Sequence, residues 1–252
     1  MRRPYIYPHR SLRFVPIPAT RVIVGVAAAV VLCAVTAFRG TDLLVAHARL
    51  CGLLLRLAGI PVEGTQTIGV FGGLGPVDVP VTPVLTYEGH LLEAAVLLIS
   101  SVLLLVVVYR YISLARNFVL CLLTLVVASA LVIFFNPSFQ ISSPLFTKIW
   151  LRGEILIWLL LPWVSTFLFV PVHSTALGAV LWALGMQAYA YLWSAVRLTF
   201  CLGVAYYTGT LFLLLLWFSL GVLADLLYIL VFYSVVVHQA CGRWGRRASW
   251  QY

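Results

Sequence analysis

Charged side chains are scarce in this 252-residue chain, at 9% of the sequence, whereas hydrophobic residues make up 63%. Soluble globular domains carry roughly 25% charged residues, because they present a polar surface to water. The mean hydropathy of +1.08 leaves too few polar groups for such a surface. We therefore exclude a soluble protein and expect lipid to surround much of the chain. Because the apolar stretches follow one another closely, we predict one transmembrane domain, residues 22–238.

Acidic residues and lysine are rarer still. The chain has seven Asp and Glu, and Lys148 is the single lysine among its 16 basic residues. Most of the arginines stand at the ends of apolar runs, where they meet lipid headgroups and fix orientation. The net charge of +9 therefore indicates membrane lipids as partners. We exclude nucleic acid, because no soluble basic face is present to carry it.

The sequence motifs of common catalytic and metal sites are missing. The five cysteines form no C-x-x-C pair, and no His–Cys cluster has zinc spacing. Neither G-x-S-x-G nor H-E-x-x-H occurs. The glycine-rich residues 72–75 are not followed by Lys-Ser or Lys-Thr, which excludes a phosphate loop. We therefore predict no cofactor and no metal.

Long apolar runs dominate what is present. An all-α polytopic membrane protein with about six transmembrane helices is the predicted fold class. The last apolar stretch, 175–238, is too long for one span, and we divide it at residues 208–210 into a helical hairpin. The predicted spans are 22–38, 91–109, 118–135, 149–170 and the two helices of 175–238.

Two different patterns separate the first span from the second. Residues 41–58 place leucines at helical spacing among Asp42, His47, Arg49 and Arg56, which is typical of an amphipathic interfacial helix. Residues 59–85 contain six glycines and four prolines around two short β-type runs, 65–71 and 77–81. The glycines between these runs favour a turn, so we predict a small extracytoplasmic β-hairpin.

Arginine placement predicts the orientation. Six spans put both ends on one side, with a basic arm at 1–21 and a basic tail at 239–252. That side then carries ten arginines and no acid, whereas the other side carries five basic residues among four acids. Because basic loops stay on the cytoplasmic side, we expect both termini in the cytoplasm.

Arg197 and Asp225 are the clearest charged residues inside predicted spans. With a turn at Gly209, they lie at depths of roughly 18 and 24 Å. A charge inside a bilayer is costly unless it is paired, so we predict a buried ion pair between the last two helices. A structural pin between helices and a charge relay or ligand site both fit such a pair.

A second polar cluster is predicted at the outer mouth of the bundle. Glu88, His90 and Glu93 lie at the start of the second span, and Arg152 and Glu154 lie across from them. Offsets of two and five residues do not place the first three on one helix face, which disfavours a metal site. We expect instead a contact of Arg152 with Glu93 or Glu88.

The layout of residues 53–163 resembles the exosortase/archaeosortase family of membrane transpeptidases. An amphipathic lead-in (53–62) and a glycine-containing β stretch are followed by the tetrapeptide 86–89, Thr-Tyr-Glu-Gly, where the family has Ala-Cys-x-Gly. Asn136 stands where the family has Asn-x-x-Arg, and Glu154 with Trp158 opens a span where it has its histidine. The resemblance implies Tyr87, Phe139 and Glu154 as the equivalents of the family's site residues. The hairpin of 175–238 lies outside it.

The resemblance implies a protein without the family's catalysis, because its thiol, arginine and histidine are all replaced. We therefore expect a pseudoenzyme: an exosortase-like scaffold or subunit of a membrane complex, which binds a partner protein, signal helix or lipid at its outer face. Other membrane subunits are then its expected partners, and a prokaryotic inner membrane its location. A transporter or channel subunit remains an alternative, as does a membrane enzyme that uses outer-face carboxylates and His90.

Overall fold

The computed structural model of the protein describes residues 17–85, 91–111, 116–139 and 141–244. Helices dominate these residues, with one two-stranded antiparallel sheet. In chain order the elements are α1 (Ala19–Phe38), α2 (Gly40–Leu57), β1 (Gly64–Gly69), β2 (Pro76–Val81), α3 (Leu91–Tyr111), α4 (Arg116–Phe135), α5 (Ser143–Val172), α6 (Ala176–Thr208), α7 (Leu213–Leu216), a π-helix (Trp217–Leu223) and α8 (Ala224–Trp244).

Four helical segments among the described residues are long and apolar enough to cross a membrane. They are α1, α5, α6 and the continuous segment Leu213–Ala240, which runs from α7 through the π-helix into α8. Shorter apolar stretches, Ala95–Tyr111 and Val119–Phe135, lie in α3 and α4. The chain is therefore a helical membrane protein with a small β-hairpin.

The break predicted at residues 208–210 is present. Gly209 ends α6 with φ 59°, a left-handed backbone conformation that costs least for glycine. The segment after it departs from the predicted regular helix, because residues 217–223 form a π-helix. The last helix also continues to Trp244, beyond the predicted boundary at 238.

Helix α2 stands against α6 and the hairpin. One side of α2 is buried, and Arg49 points outward from the other side. The buried residues follow one another at spacings of three and four positions: Leu44, His47, Cys51 and Leu55. Its contacts run in parallel along α6: Tyr191 donates to the Leu43 carbonyl oxygen, and Thr199 lies 3.4 Å from the Cys51 sulfur. The predicted amphipathic helix is thus covered by protein on its apolar face.

The β-hairpin caps the beginning of α5. Gly64 pairs with Val81 and Gly69 with Pro76, so the strands match the predicted runs closely. Buried Ile68, Val77 and Val79 pack on α2 and α5. At the hairpin's end, the Ser143 hydroxyl donates to the Thr82 carbonyl oxygen at 2.8 Å and accepts from the Thr82 N–H at 3.0 Å.

The opposite end of α5 meets the beginning of α1. Arg21 donates to the His173 carbonyl oxygen at 2.7 Å, and a Cβ on Gly25 would lie 2.5 Å from a Val170 methyl group. With 30 residues, α5 is about 45 Å long. The hairpin and the start of α1 therefore lie at opposite ends of the molecule.

Helices α3 and α4 pack mainly on each other. Their contact with the remaining helices is concentrated at one end, where Ala130 and Ile133 of α4 meet Leu211 beside α7. Large apolar side chains along α3, such as Leu103 and Val106, are exposed. In a membrane protein such a surface faces lipid or a partner helix.

Candidate functional site

Arg197 is the most buried charged residue among those described. It lies in the C-terminal half of α6 and is 1% exposed. Its Nη2 lies 2.7 Å from Asp225 Oδ1 in α8, so the structure brings together the two residues of the predicted ion pair. The pair joins the last two long helices, as the spacing around Gly209 indicated.

A second carboxylate completes this cluster. Glu154 Oε1 of α5 lies 3.0 Å from the same Nη2, and Glu154 is 3% exposed. The outer-mouth placement of Glu154 is therefore wrong. Arg152, only two residues away, is exposed, because a separation of two positions turns a helix by about 200°.

Backbone carbonyls of the π-helix also bind Arg197. Its Nη1 donates to the Leu220 carbonyl oxygen and, at 3.1 Å, to that of Gly221. The guanidinium stands over the Trp150 ring, 5.6 Å from the ring centroid. One arginine thereby connects α5, α6, the π-helix and α8. The sequence gives no signal for the carbonyl contacts, because they depend on the irregular turn.

A polar contact between α2 and α6 lies beside this cluster. His47 Nε2 is 3.1 Å from the Ser194 hydroxyl, which also accepts from Trp150 Nε1 at 3.3 Å. Burial lowers the pKa of His47 from 6.5 to about 4, and the positive charge of Arg197 acts in the same direction. His47 is therefore neutral at pH 7. Its Nδ1 has no hydrogen-bond partner within the described part of the chain.

This geometry does not favour nucleophilic catalysis. The Ser194–His47 separation is within the range of a nucleophile–base pair, but both residues are fully buried, and such a pair also needs a third group to orient the base. Cys51 lies one helical turn from His47. Burial raises the pKa of its thiol to about 11, which opposes the reactive thiolate.

The predicted outer-mouth cluster is only partly described. Tyr87, Glu88 and His90 lie outside the described residues. Glu93 is exposed in the first turn of α3. Arg152 donates to the Val70 carbonyl oxygen at 2.7 Å and lies over the Phe71 ring, so it holds the hairpin. Its expected contact with Glu93 or Glu88 stays a prediction.

An apolar groove lies beside the charge cluster, between α4, the beginning of α5 and α7. Its cavity measures about 380 Å³ and is open on one side. Phe139, the position that the exosortase resemblance aligns with a catalytic arginine, lines it. The other large side chains of the wall are Val132, Ile133, Ile141, Phe146, Ile149, Leu213, Leu214 and Trp217. Sequence reasoning missed this groove, because its wall is assembled from separate helices and from the segments that connect them.

The groove wall offers almost no polar group. Ser129 and Thr210 supply its hydroxyls, and Ser129 already donates to the Leu125 carbonyl oxygen of its own helix at 3.0 Å. Among the described lining residues none is ionisable. Such a wall fits hydrocarbon and excludes a charged or strongly polar solute.

Within the described ranges, no group of three or more His, Cys, Asp or Glu side chains is placed so that it could hold a metal ion. Comparisons with protein-family models, with curated proteins and with solved structures found no match to this chain.

Proposed function

We propose that this chain is a non-catalytic subunit of a membrane complex and that it binds a lipid hydrocarbon chain in the groove between α4, α5 and α7. The observation that carries the proposal is the wall of the groove, a half-open cavity of about 380 Å³ lined by branched and aromatic side chains. Pockets for small ligands have volumes of about 300–1,000 Å³, and burial of hydrocarbon in them is favourable.

The absence of catalysis in this proposal follows from the chemistry of the polar residues. The buried charged side chains of α5, α6 and α8 pair with one another: Arg197 contacts both Glu154 and Asp225. An exosortase-like ancestry would account for the layout of residues 53–163, and the replaced catalytic positions would then mark a pseudoenzyme. A partner bound at the outer face would meet the hairpin and the rim of the groove.

Native mass spectrometry of protein extracted in a mild detergent tests the lipid site. Ala128 is an exposed residue of α4 that lines the groove, so Ala128→Trp fills the cavity without entering the core. We expect the wild-type protein to retain bound lipid and the variant to lose most of it.

Cys121→Trp is the matched control, because Cys121 is exposed on the same helix about two turns away and does not line the groove. This variant should retain lipid as the wild type does. Equal lipid retention in all three proteins would contradict the proposal.

A partner subunit at the α3–α4 hairpin is a second candidate. These two helices contact the other helices mainly at one end, and their apolar surface is widely exposed. Photo-crosslinking from Leu103, exposed midway along α3, should capture a membrane protein in cells if a partner covers this surface. Crosslinks to lipid alone would reject this candidate.

The proposed setting is a prokaryotic inner membrane, crossed six times, with both termini in the cytoplasm. The support is the arginine distribution and the separation of the hairpin from the start of α1 along the 45 Å of α5. Under this proposal α3 and α4 also span the bilayer, and the groove opens in its outer half.

A further inference from the structure

The buried cluster around Arg197 contains unequal numbers of acids and bases. Glu154 and Asp225 both contact one nitrogen of one guanidinium, at 3.0 and 2.7 Å. Their nearer oxygens are thus within about 6 Å of each other, a distance at which two like charges disfavour each other's ionisation. If all three groups were ionised, the cluster would carry a net charge of −1 in the protein interior.

The described surroundings do not supply the missing positive charge. His47, from α2, is neutral at pH 7 because burial and Arg197 lower its pKa. The carbonyl oxygens of Leu220 and Gly221 add further negative potential. Arg152 faces the hairpin on the other side of α5. The remaining titratable groups that face the cluster are uncharged at neutral pH: Tyr228 of α8, Cys201 of α6 and Cys51 of α2.

Two carboxyl oxygens of the cluster, Glu154 Oε2 and Asp225 Oδ2, also have no hydrogen-bond partner among the described residues. Glu154 Oε2 is buried and completes no hydrogen bond with any described residue, although the Ser194 hydroxyl lies close to this carboxyl. An ionised oxygen in this position would lose its hydration without replacement, which is strongly unfavourable. A protonated carboxyl would instead present an O–H group to the neighbouring hydroxyl.

We propose that Glu154 and Asp225 bind one proton between them at neutral pH, so that the cluster with Arg197 is electrically neutral. The ligand of this site is a proton, which needs no cavity between the side chains. The proposal is independent of the lipid groove, which is lined by other residues.

Infrared spectroscopy of the purified full-length protein tests this proposal at neutral pH. A protonated side-chain carboxyl gives a C=O band that carboxylates lack and that shifts in D₂O. We expect the intensity of one such group per chain. Glu154→Gln and Asp225→Asn should each abolish the band, because the remaining acid then ionises beside Arg197. Glu63→Gln, at an exposed acid, should leave the band unchanged.

Thermal unfolding of the same proteins gives the second measurement. Each single amide variant should keep a midpoint within a few degrees of the wild type, because the amide replaces a neutral acid. The midpoint of the double variant should fall much further, since this variant leaves Arg197 without a counter-charge. Absence of the band in the wild type would overturn the proposal. A midpoint that rises in sodium chloride relative to choline chloride would also overturn it, in favour of a metal cation.

Discussion

Arg197 is the side chain on which most polar contacts of the helix bundle converge. Arg197→Leu removes the partner of two buried carboxyls and of two π-helix carbonyls. Removing one member of a buried ion pair costs about 3–5 kcal/mol, because the other member stays buried without compensation. We expect a loss of this size in the free energy of unfolding, measured by denaturation in detergent.

Arg39→Leu is the matched control for this substitution. Arg39 pairs with Asp42 at 3.1 Å, but both side chains are about 70% exposed. Exposed pairs contribute about 0–1 kcal/mol, so the free energy of unfolding of this variant should be close to that of the wild type. Equal effects of the two substitutions would show that the buried cluster adds nothing beyond a surface pair.

His47 makes stability depend on pH. Its pKa is about 4 in the folded protein and 6.5 in an unfolded chain, so the unfolded state takes up the proton first as the pH falls. The folded state should therefore lose stability between pH 6.5 and pH 4, by about 3 kcal/mol in total. His47→Gln, which retains polar atoms near Ser194, should reduce this slope. Identical slopes for both proteins would exclude His47 as the titrating group.

At the scale of elements, the turn between α5 and α6 depends on a glycine. A Cβ on Gly178 would overlap the His173 imidazole, which follows the end of α5. Overpacking of this kind costs about 1–3 kcal/mol, so Gly178→Ala should lower the thermal midpoint. Gly185→Ala, in the same helix with open space around it, should be neutral or stabilising, since alanine favours helices. Equal midpoints for the two variants would contradict the predicted overlap.

Element boundaries that depend on local chemistry were predictable from the sequence. The end of α6 at Gly209 and the hairpin around residues 72–75 both follow from glycine placement. The π-helix was not predictable, because Trp217–Leu223 has an ordinary apolar helix sequence. Its carbonyls at Leu220 and Gly221 bind an arginine 23 and 24 residues earlier in the chain, and no local pattern contains such a contact.

The rotation of an element about its axis was the other unpredictable property. Arg197 and Asp225 could be paired because each is a lone charge in a long apolar run. Glu154 is separated from Arg152 by one residue, and both were assigned to the outer mouth. Which of the two faces inward depends on the packing of α5 against α6 and α8. In α2, His47 was named only as one of the polar residues of an interfacial helix, and the structure shows it fully buried.

At the scale of the whole molecule, six spans require the α3–α4 turn and the β-hairpin to lie on opposite sides of the membrane. In a chain without its native cysteines, we would introduce one at Gly73→Cys in the hairpin turn or at Arg116→Cys at the start of α4. A membrane-impermeant maleimide applied to intact cells should label position 73. Position 116 should be labelled only after permeabilisation, because six spans place it on the cytoplasmic side. Labelling of both positions in intact cells would contradict six spans.

The three members of the charge cluster leave the ribosome in a fixed order. Glu154 emerges first, Arg197 follows 43 residues later, and Asp225 comes last. The acid of α5 therefore precedes both partners into the membrane, and a carboxyl group that is inserted without its partner favours the protonated form. Arg197 then meets a helix that already carries a carboxyl group, which can release its proton and pair with the guanidinium. The guanidinium of Arg197 therefore enters the membrane after one of the two acids that pair with it.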